Sequence, residues 1–304
     1  MYRKEVIHIS NITDIIPENI SGEGIGNKIN CMNFNHDGIK NRLSSPIFLN
    51  ASIAILVLSG TATLIYNYKG QQVEGNCIIL LSSAHLFSFS NCSHDFTCIA
   101  LFVSKEFMDD MDSTDMIYKR IKYGVRLYNN PVRILSEKNM QLISGRLNSV
   151  KAAISNTAHV YYKEVVLNTL FGFYLDMSDI IEKDIHSEED GSTTRYESII
   201  KSFIELLTAN YHNEHKAEFY AEALNVSAHY LTLIVKRITG QSVSDFIFEM
   251  LYSESRSLLN NSKLSIKEIS SILNFSDQSS FGKFFKRKAG ISPAEYRNIP
   301  NQPV

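Results

Sequence analysis

The sequence predicts an α+β chain of more than one domain. A β-sandwich or small barrel comes first, amphipathic helices follow, and an all-α segment with two helix-turn-helix units closes the chain. Three observations carry this expectation. Apolar runs broken by turn signals at roughly 8–12-residue spacing fill residues 46–103. From about Lys138 the apolar positions change to helical spacing. A block of about fifty residues then occurs twice in the last third of the chain.

The first 45 residues are weakly patterned, and the Gly22-x-Gly24-x-Gly26 run lacks the strand-before, helix-after setting of a phosphate loop, so it reads as turns. Ser52–Leu58 is an apolar strand, ended by Ser59-Gly60. Thr61–Tyr68 alternates, with Ala62, Leu64, Tyr66 and Tyr68 on one face. Lys69-Gly70 and Glu74-Gly75-Asn76 read as turns, and Cys77–Leu81, Ala84–Phe89 and Phe96–Val103 as further strands. Leu142, Ile143, Leu147 and Val150, then Val165, Val166, Leu170 and Phe173, mark two amphipathic helices broken near Ser155-Asn156. The polar, charged stretch Glu182–Thr194 is a linker candidate. The predicted divisions are 1–137 for the β-rich domain, 138–183 for the helical segment, 184–194 for the linker and 195–304 for the all-α domain.

Composition narrows the class. At 304 residues, with 44% hydrophobic and 20% charged residues, the chain suits about two folded domains and not a disordered protein. The longest apolar run, Ile53–Leu58, is too short for a membrane-spanning helix, and residues 1–8 lack the apolar stretch of a signal peptide. Cys31, Cys77, Cys92 and Cys98 contain no Cys-x-x-Cys pair and read as reduced thiols. The expectation is a cytoplasmic protein with no membrane partner. Charge is uneven: residues 195–304 carry a net +2 and residues 1–194 a net -4.

The repeat is specific. Leu224-Asn225-Val226-Ser227 returns as Leu273-Asn274-Phe275-Ser276 at an offset of 49, and Lys236-Arg237-x-x-Gly240 returns as Lys286-Arg287-x-x-Gly290 at an offset of 50. One residue is inserted just after the second Ser. In each copy a short helix ends at an Asn, which tolerates the left-handed conformation a tight turn needs. Ser227 and Ser276 are then expected to cap second helices over 227–239 and 276–289. These helices would bury Leu231, Ile234 and Val235, or Phe281, Phe284 and Phe285, and would end at Gly240 and Gly290. This is the helix-turn-helix unit, whose second helix enters the DNA major groove.

The exposed positions of those helices are therefore candidate contacts to double-stranded DNA. His229, Thr232 and Leu233 in the first copy, and Gln278, Ser279, Gly282 and Lys283 in the second, are placed to meet base edges. Gln pairs with adenine, Lys donates to guanine, and Gly282 lets the backbone approach closely. Lys236, Lys286 and Arg287 suit phosphates, and Ser227 and Ser276 each offer a helix N-terminus to one. Two such helices on one rigid domain could enter successive groove turns, about 34 Å apart.

The run Ser265-Ile-Lys-Glu-Ile-Ser-Ser-Ile-Leu-Asn-Phe-Ser-Asp-Gln-Ser-Ser-Phe-Gly-Lys-Phe-Phe-Lys-Arg-Lys-Ala-Gly-Ile-Ser-Pro-Ala-Glu-Tyr-Arg297 resembles the signature of AraC-type transcription regulators, and the resemblance covers residues 195–299. It implies a sequence-specific, seven-helix DNA-binding domain with a long connecting helix near Val243–Leu259. It also implies an N-terminal cupin-like β-barrel that senses a small molecule or serves only as a dimer platform, with helices at 138–183 that form a homodimer or simply cover the barrel. RNA polymerase is a candidate partner on the same ground. Two positions depart from the family pattern: Leu251 and Leu233 stand where the family often has Arg or another basic residue.

For an effector pocket the inward candidates are Tyr66, Tyr68, His85 and Phe87. A metal-binding cupin would need a His-x-His pair, and His36, His85 and His94 form none, so His85 reads as a hydrogen-bonded wall residue and no metal or cofactor is expected. The sequence holds no Gly-x-Ser-x-Gly, P-loop or His-Glu-x-x-His pattern, so no enzyme is expected. A cupin enzyme with a helical accessory domain, and a helical protein adaptor, are the competing classes.

Overall fold

The structure, a computed structural model, describes residues 9–10, 12–15, 28–111, 127–187, 195–261 and 263–298. Gly22, Gly24, Gly26 and residues 188–194 of the linker candidate lie outside the described residues. The described elements fall into two units. The first contains β1 (Ile9–Ser10), α1 (Ile12–Ile15), β2 (Ile29–Asn35), α2 (His36–Arg42), β3 (Ile47–Leu49), β4 (Ala51–Ser59), β5 (Thr61–Tyr66) and β6 (Lys69–Glu74). It continues with β7 (Cys77–Leu81), β8 (Leu86–Ser90), β9 (Thr97–Ser104), α3 (Lys105–Met111), β10 (Val132–Ile134), α4 (Glu137–Ser155) and α5 (Tyr162–Ser187).

These strands make two five-stranded sheets. Sheet one runs β1-β3-β8-β5-β6 and sheet two β10-β7-β4-β9-β2, antiparallel throughout except for the β1–β3 pair. One core lies between them: Ile53, Ile55 and Val57 of β4 meet Ala62, Leu64 and Tyr66 of β5 and Phe87 and Phe89 of β8. The other face of sheet two is also covered. Ala54, Leu56, Ile99 and Leu101 pack against Ile143, Leu147 and Val150 of α4 and Val166, Leu170 and Phe173 of α5. Burial on both faces explains why Ile53–Val57 is an unbroken apolar run and not an alternating one. The sandwich alternative therefore describes this unit. The cupin-like barrel is not closed, because β6 and β10 remain sheet edges that do not pair with each other.

Two local expectations are corrected. Lys69-Gly70 is not a turn: Lys69 pairs with Tyr66, so the hairpin loop is Asn67-Tyr68, with φ of 46° and 66°. A two-residue hairpin of this kind needs positive φ at both central positions, which Asn accepts readily. Strand β2 lies in the stretch that read as unpatterned. It pairs along its whole length with β9 and buries Ile29, Asn30, Cys31 and Phe34. The helical segment matches its expectation in outline, with Ser136 capping α4 through Asn139 N–H. The α5 backbone runs on to Ser187, four residues into the stretch 184–194.

The second unit comprises seven helices among the described residues: α6 (Arg195–Asn210), α7 (Ala217–Ala223), α8 (Ala228–Thr239), α9 (Val243–Asn261), α10 (Ile266–Ile272), α11 (Gln278–Ala289) and α12 (Pro293–Arg297). The long helix α9 packs against α8, α10, α11 and α12. Leu251, at the departure from the family pattern, is fully buried within it. Capping boxes at Ser265/Glu268 and Ser292/Glu295 fix the starts of α10 and α12.

Candidate nucleic-acid interface

Each duplicated unit is built from the same local chemistry. Helix α7 ends in a turn where Asn225 (φ 54°) donates its N–H to Glu222 O and Val226 donates to Ala221 O. Helix α10 ends where Asn274 (φ 53°) donates to Ser271 O and Phe275 to Ser270 O. This bond pattern satisfies the last helical carbonyls and turns the chain sharply into the next helix. Phe275 then packs onto α11, its ring 5.4 Å from Phe281 and 5.1 Å from Phe284.

The second helices diverge at their first residue. Ser227 caps α8 by accepting from Tyr230 N–H at 3.1 Å, as expected. Ser276 does not cap α11. The inserted residue moves the start on by one, so Asp277 is the cap and accepts from Ser280 N–H at 2.7 Å. The hydrogen bond from that backbone N–H is the leading cause holding the Asp277 carboxyl below its ordinary range, with the Ser280 hydroxyl adding to it. A carboxylate thus already occupies the place where a phosphate would meet this helix N-terminus. Ser276 is displaced from the cap position, remains exposed, and donates its hydroxyl to Asp277 Oδ2 at 3.1 Å.

Helix α8 buries Leu231, Ile234, Val235 and Ile238, and α11 buries Phe281, Phe284 and Phe285. Both end at left-handed glycines, Gly240 (φ 78°) and Gly290 (φ 76°), whose N–H groups donate to Lys236 O and Lys286 O. The opposite faces are open. His229, Leu233 and Lys236 are exposed on α8, with Thr232 half-buried beside them. On α11, Gln278, Ser279, Lys283, Lys286 and Arg287 are exposed and Gly282 is half-buried. At the offset of 50, His229 matches Ser279, Thr232 matches Gly282, Leu233 matches Lys283 and Lys236 matches Lys286. Every predicted base- or phosphate-facing residue of the two helices therefore lies off the buried stripe. Helical periodicity also identifies one member not named from the sequence: Tyr230, 40% exposed, sits three residues before Leu233.

Two of the cations have neighbours inside the unit. The Arg287 guanidinium stacks 5.3 Å from the Phe248 ring centroid, which holds it against α9. Glu295 is kept ionised chiefly by Ser292, with Lys286 adding a smaller electrostatic pull.

The effector-pocket residues separate. Tyr66 and Phe87 lie in the core between the sheets, and the Tyr66 hydroxyl donates to Asn129 O at 3.1 Å. His85 is buried, its Nδ1 accepting from Ser82 N–H at 3.0 Å. Tyr68 is corrected: it stands in the hairpin turn, 83% exposed, because the strand ends at Tyr66. A cleft of about 410 Å3 lies elsewhere, at the β6 and β10 edges, lined by Thr61, Gln71, Gln72, Glu74, Val132 and Ile134 among others. No alternation pattern marks it, because it is formed where strands fail to pair. No group of three or more His, Cys, Asp or Glu able to hold a metal is found among the described residues.

Comparison with known proteins agrees with the geometry of the second unit. Residues 220–299 match the family model described as a helix-turn-helix domain. The chain is 36% identical over 112 residues to the Msm operon regulatory protein of Streptococcus mutans serotype c, covering 37% of this chain and 40% of that one. It is 20% identical over 147 residues to the HTH-type transcriptional activator RhaR of Escherichia coli O139:H28, covering 48% and 51%. The chain thus spans about half the length or less of these relatives. A solved structure, the C-terminal domain of AraT, a response regulator from Geobacillus stearothermophilus, is 28% identical. It covers 34% of this chain and 87% of that one at a TM-score of 0.32. By its duplicated motif and its match to the helix-turn-helix model, the carboxy-terminal part of the chain is a helix-turn-helix domain similar to those of these regulators, in line with the AraC-type resemblance of its sequence.

Proposed function

We propose that this chain is a transcription regulator that binds double-stranded DNA by sequence, reading two adjacent major-groove segments through α8 and α11. One observation carries the reading: both helices keep their matched outward faces exposed while their inward faces are locked into the core. A family whose named relatives are operon regulators and activators supports it. Selection from a random duplex library with the full-length chain tests it. A defined enriched sequence is expected, and retention of all sequences equally would reject it. Within that complex Lys286 grips a phosphate. Lys286→Ala should weaken binding on every sequence and reduce the slope of log K against log salt by about one. An unchanged slope would remove Lys286 from the phosphate set.

The first unit supplies control in this reading, through a small molecule or through pairing of two chains. Helix α4 favours pairing. Between Gln141 and Ala152 its exposed residues, Gln141, Leu142, Gly145, Asn148, Ser149 and Ala152, are uncharged, and a Cβ on Gly145 would meet nothing within 4 Å. A glycine there costs helix stability without serving any contact of its own chain, as expected where a second backbone comes close. Leu142→Glu should convert a dimer to a monomer by sedimentation, and an unchanged mass would exclude this face. We assign the chain no catalytic role and a cytoplasmic location, with RNA polymerase as a candidate partner. No helix of the described residues is long and apolar enough to cross a membrane. The domain division 1–137, 138–183, 184–194 and 195–304 belongs to the same proposal.

A further inference from the structure

The two reading helices are matched in backbone but not in chemistry. At the centre of the exposed face of α8 stands Leu233, 51% exposed, with Tyr230, 40% exposed, one turn before it. At the matching places on α11 stand Lys283, exposed, and Ser280. A third pair differs in size, Thr232 against Gly282. At the first two positions the first helix carries the more apolar side chain, and at the third the larger one. The leucine is not drawn outward by any packing need, because Leu231, Ile234, Val235 and Ile238 already fill the inward face.

Leucine has no donor or acceptor, so it cannot distinguish bases by hydrogen bonds. The major-groove edges present one apolar group among the four bases, the C5-methyl of thymine. A half-exposed leucine at the centre of a groove-entering helix can lose its remaining water-facing surface against that methyl. Lysine at the matching place of α11 offers a point donor that suits the O6 and N7 acceptors of guanine.

We propose that Leu233 makes α8 a thymine reader, selecting the C5-methyl by apolar contact, while α11 reads a guanine through Lys283. This assignment rests on the DNA-binding function proposed above. It makes Leu233 a specificity-determining residue, and Tyr230 widens the apolar surface beside it.

The test uses the full-length chain and the duplex that selection enriches. Thymidine is replaced by deoxyuridine one position at a time, which removes the methyl and leaves base pairing intact. Binding of the wild-type chain should weaken about fourfold at one or two neighbouring positions, the effect of withdrawing one buried methyl-sized group. Leu233→Ala should bind the thymine and uracil duplexes equally at those positions. It should still lose affinity when the guanine assigned to Lys283 is replaced by 7-deazaguanine. Leu233 is half exposed, so the variant is expected to fold, and unchanged helical circular dichroism checks this. Indifference to the methyl at every thymine of a duplex that is bound by sequence would overturn the assignment and leave the DNA-binding function standing. So would undiminished methyl discrimination by Leu233→Ala. Failure to enrich any sequence would overturn both.

Discussion

Gly282→Ala is expected to make the protein more stable and its grip on DNA weaker. Gly282 lies inside α11, where glycine is less favourable than alanine by about 0.5–1 kcal/mol. The Cβ that alanine would add meets no atom within 4 Å, so no internal contact requires the glycine. The free chain should therefore gain roughly that free energy, read as a higher denaturation midpoint. In the complex the same methyl would stand between the helix backbone and the groove. Inserting a methyl into a closely packed contact costs about 1–3 kcal/mol, a loss of roughly 5- to 150-fold in affinity. Opposite signs in the two measurements are the expected result. Equal affinity for the variant and the wild type would show that α11 keeps its backbone away from the bases.

The second large effect lies in the first unit. Burial lowers the pKa of His85 to about 4, against a weaker upward pull from the backbones of Leu127, Ser82 and Tyr128. The ring is held neutral, accepting from Ser82 at Nδ1 and packing 5.1 Å from the Tyr128 ring. In the unfolded chain the same histidine titrates near its ordinary value. Between those two values the unfolded state binds the extra proton, so stability rises with pH there. The contribution is fully present above about pH 6.5 and is lost as pH falls toward 4, amounting to about 3 kcal/mol across the window. Denaturation of the wild type and of His85→Gln at pH 7.5 and pH 5 measures it. The wild type should lose more stability than the variant over that interval, and parallel losses would remove His85 as the cause.

What could be read from residues alone follows where local chemistry decides structure. Asn225 and Asn274, Gly240 and Gly290, and the buried triplets of α8 and α11 each act within a few residues of their own position, and each lies where the pattern put it. The Asp277 cap was hidden because the insertion moved the helix start by one residue while leaving Ser276 in apparent register. Strand β2 was hidden for a different reason: its Asn30, Asn33 and Asn35 break the apolar alternation, and only pairing with β9 across the fold makes it a strand. Tyr68 misled because alternation continues through it after the strand has ended. The cleft beside β6 and β10 is set by which edges remain apart, a property of no single segment.

The inequality of Leu233 and Lys283 gives the protein a heading. A target offering the proposed thymine and guanine in the opposite order would present each helix with the wrong group. Here reversal would bring the ammonium group to the methyl and the leucine to the guanine acceptors, so one orientation is favoured. Under the proposed readings, the order of thymine and guanine along a target therefore sets the direction in which the two helices lie on it.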